Sequence, residues 1–470
     1  MNFSVSKVAS VAKARLTPAG AEAMLSGVAV DSRRVRPGEL FVALHGEKVD
    51  GHDFAVQAAA AGARAMLGKR RPAGLPADFP VLEVSDPRES LLQFAGTMKK
   101  EAGFRLAAVA GSVGKTTTKE FAAAIFARRF AVEKTPGNQN SAIGFPMSVL
   151  NLPGRLEWMV GEMGMSALGE ISRLSRTFEP DIATITRIAA EHLEFLGSLD
   201  TVAAANGEIL EGLKPGGIFV ANADDSRVAA LAGRHPGRTL WFGFGDGADV
   251  TAEQIAPGDS GTSFFLRTPA GRASIALPLP GLHQVGNFLA ASAVAIAAGA
   301  TAQDCETAAP TLIPAQHRGE LFRHASGALL YDDAYNASPP SMRAALDTLK
   351  LLPGERKIAV LGDMLELGAE DLWWHRETGR YAVGRADRLI CVGPRARAIG
   401  EGASASGFPA EEIQWVEDPE RAARVLDAML SGGDTVLFKA SRGVGLDRAV
   451  ALLRESGNVK RETGNEADDR

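Results

Sequence analysis

Gly111-Ser112-Val113-Gly114-Lys115-Thr116-Thr117-Thr118 follows the apolar run Leu106 to Ala110 and leads into a helix-forming stretch, Lys119 to Arg128. A strand, a glycine turn and a helix in that order make a binding place for a nucleoside triphosphate, ATP or GTP. The glycines let backbone N–H groups close on phosphates, Lys115 adds a cation, the Thr116 hydroxyl can ligate Mg²⁺, and the helix N-terminus favours negative charge. The spacing is G-x-x-G-K-T, with Val109 where the outer glycine of the longer pattern stands. The reading therefore rests on the elements around the loop as much as on its letters.

Outward from the loop the same rhythm continues. Before it, residues 1 to about 100 alternate apolar runs with turns: Leu40 to Leu44 reads as a strand and Phe54 to Leu67 as a helix. After it, Trp158 to Glu162, Asp181 to Thr186 and Gly217 to Asn222 are apolar runs of strand length with helix-forming segments between them. Between Leu240 and Pro280 the pattern predicts shorter strands broken by Gly and Pro, and Asn287 to Ala300 a helix. Pro310 to Pro314 reads as a linker. Beyond it, strands at 328–332, 357–361, 388–392 and 435–439 alternate with helices at 341–351 and 375–386. The expected class is α/β, with mostly parallel sheets and ligands at the carboxyl ends of the strands.

A chain of 470 residues, 46% of them hydrophobic, is long enough for about three domains with real cores. Its net charge of -5, without dense Lys/Arg clusters, argues against nucleic acid as a partner. Two cysteines distant in sequence, Cys305 and Cys391, suit a reducing compartment better than a disulfide framework. The first twenty residues lack the apolar core of a secretion signal, and no stretch approaches the roughly 18 apolar residues of a membrane span. A cytoplasmic monomer is expected, with residues 457–470 as a charged, solvated tail.

Two polar residues stand at the ends of the middle strands. Glu162 closes Met159-Val160-Gly161-Glu162, and His192 follows the strand that ends at Thr186. At the rim of a sheet carrying a phosphate loop, a carboxylate and an imidazole are placed to reach a metal near the γ-phosphate. A lone histidine is otherwise an ordinary hydrogen-bonding residue.

Longer stretches carry a resemblance. Asp31-Ser32-Arg33, Gly38 to Gly46, Asp50-Gly51-His52-Asp53-Phe54, the loop itself, Gly137-Asn138-Gln139-Asn140 through Pro146, and His192-Leu193-Glu194 resemble the Mur ligases of peptidoglycan synthesis. Asp332 to Pro339 and Leu361 to Gly368 look like the branch that adds D-alanyl-D-alanine to UDP-N-acetylmuramoyl-tripeptide. The resemblance implies three domains: residues 1–100 for the UDP-muramoyl substrate, a central P-loop ATPase-like parallel-sheet domain at 101–314, and a C-terminal Rossmann-like domain at 315–456. It also implies ATP-dependent amide formation through an acyl phosphate, with Mg²⁺.

By the same resemblance, Gly111, Ser112, Val113, Gly114, Lys115, Thr116, Thr117, Asn287, Arg318 and Asp333 would bind ATP. Thr116 and Glu162 would hold one Mg²⁺ and His192 a second. Lys115, Glu162, His192 and Arg318 would be catalytic. Ser32 and Arg33 would face the uridine diphosphate, Asn138 and Asn140 the muramoyl part, and Asn336 the incoming dipeptide. Each has a plainer reading: Asn138 as a turn residue, Asp333 as a helix cap, Arg33 as a solvated turn residue, Arg318 as a partner of Glu320.

The chain departs from the family pattern most at Ala205-Asn206-Gly207-Glu208. Family members usually carry Ala-Lys-Gly-Glu there, with the lysine carbamylated as a ligand of the second Mg²⁺. An asparagine cannot be carbamylated, which leaves three options: Asn206 as a neutral ligand, Glu208 as a substitute, or one Mg²⁺ with His192. Gln284, Met165 to Leu168 and Ala440 with Gly443 are lesser departures. The alternatives are a catalytically weak homologue that binds nucleotide or muropeptide, and another amide ligase such as a folate-polyglutamylating enzyme.

Overall fold

The computed structural model describes residues 1–46, 49–258 and 261–463. They pack as two compact units, one of Met1–Ala110, Arg129–Thr184 and Gly207–Phe219, the other of Gly111–Arg128, Ile185–Asn206 and Val220–Arg470.

Strands β1 (Arg15–Thr17), β2 (Val28–Ala29), β3 (Leu40–Val42), β4 (Ala65–Gly68) and β5 (Val81–Glu83) form a sheet in the order β1-β5-β4-β3-β2. All pairs are parallel except β1 with β5. The helix expected over Phe54 to Leu67 is half wrong. Helix covers only Ala55–Ala60, Gly62 reverses the chain at φ 104°, and residues 65–68 are the buried strand β4. Alanine content pointed to helix, but a left-handed glycine ends a helix wherever it falls. Helix α1 (Pro87–Ala102) has its signals intact: Asp86 accepts from the Arg88 and Glu89 N–H groups, and Gly103 turns left-handed after the last turn.

The Asp50 to Phe54 stretch is a lock. Asp50 accepts from the His52 backbone N–H at 3.0 Å and lies 2.6 Å from His52 Nδ1. Because Lys69 N–H donates to Nε2 at 2.9 Å, the ring proton sits on Nδ1. These donors hold the Asp50 carboxyl at about 2, the His52 backbone N–H first and its ring second. A carboxyl depressed in the folded state stabilises above its unfolded value, near 4, and stops doing so as pH falls through about 2. Asp50→Asn is expected to make stability less dependent on pH between about 4 and 2, read from thermal midpoints across that range.

The central strands are β6 (Arg105–Ala110), β7 (Val132–Lys134), β8 (Trp158–Glu162), β9 (Ile182–Ile185), β10 (Ile218–Asn222) and β11 (Arg238–Phe242), in the order β11-β10-β9-β6-β8-β7. Helix α2 (Lys115–Phe126) follows β6, α3 (Gly144–Leu150) precedes β8, and α4 (Glu170–Phe178) precedes β9. Helices α5 (Leu193–Leu196) and α6 (Leu199–Gly207) lie between β9 and β10. Residues 106–110 and 158–162 are buried throughout, as expected of parallel strands covered on both faces. The β6–β8 register sets Glu162 opposite Val109, two residues before Gly111.

The strands after Leu240 correct another expectation. β12 (Thr251–Gly258), β13 (Gly261–Thr268) and β14 (Gly271–Leu277) are eight, eight and seven residues long, antiparallel, and longer than the central strands. The breakers sit where a sheet tolerates them: Pro257 is on the edge strand β12, beyond a register shift between Glu253 and Ala256. Helix α7 (Leu282–Ala297) follows.

The last sheet contains β15 (Glu320–Arg323), β16 (Leu329–Asp332), β17 (Arg356–Gly362), β18 (Arg388–Val392), β19 (Ile413–Val416) and β20 (Asp434–Lys439), in the order β15-β16-β20-β17-β18-β19. It is parallel except for β15. Strand alternation sends Ala359 and Leu361 into one core, with Met342, Leu346 and Leu349 of α8 (Pro339–Leu351), and Ile358 and Val360 into the other. The final helix, α9 (Asp447–Thr463), carries residues 457–463 of the expected tail; residues 464–470 lie outside the described residues.

Candidate active site

Gly111 and Gly114 take φ 125° and 85°, values that side chains disfavour. A Cβ on Gly111 would stand 2.1 Å from Thr186 Oγ1 and 2.9 Å from its backbone nitrogen; one on Gly114 would stand 2.3 Å from Asn287 Oδ1. Several contacts hold the loop. Ser112 N–H donates to Arg187 O at 2.7 Å, Ala189 N–H to Ser112 Oγ at 2.9 Å, and Thr186 Oγ1 to Val113 O at 2.6 Å. Asn206, buried in α6, accepts from Gly111 N–H at 2.7 Å.

Lys115 opens α2, and its ammonium donates to Gly111 O at 2.5 Å and Ser112 O at 3.2 Å, with Glu191 Oε2 3.4 Å away. Burial pushes the Glu191 carboxyl above its ordinary value, against the pull of Lys115 and His192. Its Oε1 is buried with no hydrogen-bond partner among the described residues.

Glu162 is buried at the end of β8, where Asn140 Nδ2 donates to its Oε1 at 2.8 Å. The structure thus joins two residues to which the sequence assigned different tasks. His192 stands at φ 50° before α5, and its Nδ1 lies 2.5 Å from Oε2 of Glu366, itself at φ 63°. Two non-glycine residues held left-handed against each other mark a constrained point. Asn287 meets the loop at Gly114, and its Nδ2 donates to Gln284 at 3.2 Å.

Beside the C-terminal sheet, Arg318, just before β15, stacks on Tyr335, just after β16, its guanidinium carbon 4.0 Å from the ring centre, while Glu320 pairs with Arg454. Asp333, just past β16, accepts at 2.5 Å from Lys439, whose ammonium also donates to Asn336 O at 3.0 Å. Lys439 is 3% exposed, so one buried cation ties the two residues proposed for ribose and dipeptide. Near the N-terminus, Ser32 donates to Gln57 at 3.0 Å, and Arg33 makes a two-bond pair with Asp31, whose carboxyl it holds at about 2. Asn138 is exposed in a turn, its carbonyl accepting from Asn140 N–H at 2.8 Å.

Glu191, Glu366 and Lys439 received no role from the sequence. Glu191 is adjacent to His192, and Glu366 and Lys439 fall in quoted runs, but their partners are 76, 174 and 106 residues away. Glu208, a conceivable substitute ligand, instead accepts from Gly169 and Ser172 N–H groups at the start of α4. No cluster of three or more His, Cys, Asp or Glu able to hold a metal occurs among the described residues. No described helix is long and apolar enough to cross a membrane.

Family models match three stretches: "Mur ligase family, catalytic domain" at residues 24–97, "Mur ligase middle domain" at 109–295, and "Mur ligase, glutamate ligase domain" at 317–442. The UDP-N-acetylmuramoyl-tripeptide--D-alanyl-D-alanine ligase of Bacillus subtilis is 36% identical over 455 residues, covering 96% of this chain and 98% of that one. The Escherichia coli enzyme of the same name is 36% identical, with 93% and 96% covered. Among solved structures, MurF from Acinetobacter baumannii superposes with a TM-score of 0.88 at 29% identity, covering 97% and 99%. The MurF ligase of Thermotoga maritima in complex with ADP gives 0.82 at 29% identity, covering 92% and 98%.

Proposed function

The chain belongs to the Mur ligase family, and we propose that its phosphate loop, Glu162 and the Asp333 to Asn336 segment divide the work of one ATP-driven amide synthesis. It is a ligase of the MurF type, adding D-alanyl-D-alanine to UDP-N-acetylmuramoyl-tripeptide in peptidoglycan synthesis, and it uses ATP. Residues 1–100 take the UDP-muramoyl end through Ser32 and Arg33, 101–314 the nucleotide, and 315–456 the dipeptide through Asn336. The site of action is the cytoplasm, in keeping with Cys305 and Cys391, both buried as free thiols.

A carboxylate is a poor electrophile because it has no leaving group. The terminal carboxylate of the tripeptide attacks the γ-phosphorus, ADP leaves, and the acyl phosphate formed is opened by the dipeptide amine, releasing phosphate. Two anions must meet in the first step. Lys115 on the β- and γ-phosphates and Arg318 near them screen that repulsion. Mg²⁺ bound to nucleotide needs only one or two protein oxygens beside phosphates and water, and the Thr116 hydroxyl and the buried Glu162 carboxylate fit that demand. When bound it neutralises phosphate charge; Asn140 holds the Glu162 carboxylate for it.

The observation that carries this reading is Lys115 at the start of α2, behind two left-handed glycines. It is tested by phosphate release with ATP, Mg²⁺ and UDP-N-acetylmuramoyl-tripeptide, with and without D-alanyl-D-alanine. Release that depends on the dipeptide, with a pentapeptide product by mass, is expected; nucleotide binding without product would overturn it. Lys439→Met should raise the KM for ATP and for dipeptide by roughly tenfold, with a smaller change in kcat. The Asp333 carboxylate and Asn336 carbonyl then lose their shared donor.

A further inference from the structure

Asn206 sits in the last turn of α6, 1% exposed, with both ends of its carboxamide committed. Oδ1 accepts from Gly111 N–H at 2.7 Å, and Nδ2 donates to Val202 O at 2.9 Å. The amide orientation is dictated, since an N–H faces one end and a carbonyl the other. Gly111 is the residue whose carbonyl takes the Lys115 ammonium at 2.5 Å. A short chain of contacts thus runs from α6 through Gly111 to the lysine head.

We infer that Asn206 is a positioning residue of the phosphate loop and supplies no oxygen to a metal ion. Turning Oδ1 to a metal would strip the acceptor from a buried N–H. An unmodified lysine at this position, with three donors and no acceptor, could not accept from Gly111 N–H. The side chain that departs from the family pattern therefore has its own task here. It fixes the first glycine of the loop, so that the following N–H groups and Lys115 meet phosphate already arranged. The inference rests on the reading of Gly111 to Thr117 as the nucleotide loop, which ADP binding by the unaltered chain tests separately.

The experiment measures ADP affinity by calorimetry in EDTA, then the Mg²⁺ concentration giving half-maximal phosphate release, for the unaltered chain, Asn206→Leu and Asn206→Ala. A loop brace acts without metal; a metal ligand does not. Both variants should lose about tenfold in metal-free ADP affinity while the Mg²⁺ requirement stays unchanged. Unchanged metal-free affinity, or a raised Mg²⁺ requirement, would overturn the proposal. Should neither variant fold, amide hydrogen exchange at Gly111 in the nucleotide-free, unaltered chain decides. Slow exchange is expected, and exchange at the rate of an open loop sinks the idea.

Discussion

Lys115→Ala should abolish turnover, lowering kcat by at least about a thousandfold, as expected when a cation on a transferring phosphoryl group is removed. Three partners hold the ammonium: Gly111 O, Ser112 O and Glu191. All three are acceptors the head can leave when better-charged phosphate oxygens arrive. Arginine should not rescue, because a planar fork cannot occupy the place of a compact ammonium against two loop carbonyls. The check is dipeptide-dependent phosphate release alongside ADP calorimetry. Near-normal release by Lys115→Ala would remove the loop from the mechanism.

Gly111→Ala should cost more than a hundredfold in ADP affinity, through backbone strain and a clash with Thr186 together. At φ 125° an L-residue is strained, by an amount on the order of 1–3 kcal/mol. The added Cβ also meets Thr186 Oγ1 at 2.1 Å and the Thr186 backbone nitrogen at 2.9 Å. The hydroxyl could swing away only by giving up Val113 O, and the backbone atom cannot move without disturbing β9. Gly137→Ala is the control: that glycine is also left-handed, at φ 51°, but a Cβ there meets nothing within 4 Å. It should bind ADP nearly normally. Equal losses in the two variants would mean that strain, not the loop's fit against Thr186, sets the effect.

Much of the fold was legible because its signals are local. The strands 106–110, 158–162 and 388–392 are apolar runs of the right length, and α2 and α8 carry their own punctuation. Legibility failed where neighbours overruled local preference. Residues 65–68 look helical in isolation, but lie buried between β3 and β5. Pro257 looks like a strand breaker, but sits on an edge that requires no donor from it.

The site divides along the same line. The order of strand, glycine turn, Lys115 and helix is written in consecutive residues, so the loop proposed for the nucleotide phosphates is readable from the sequence alone. The pairings that hold the candidate residues join positions far apart in the chain: Gly111 with Asn206, Lys115 with Glu191, His192 with Glu366, Asp333 with Lys439. No spacing rule connects such partners. Read as letters, Asn206 left open whether it ligates a metal; buried, its amide needs partners, and one of them is the N–H of the first glycine of the loop. Composition decides which groups a chain carries, and only tertiary packing decides which buried donor meets which acceptor.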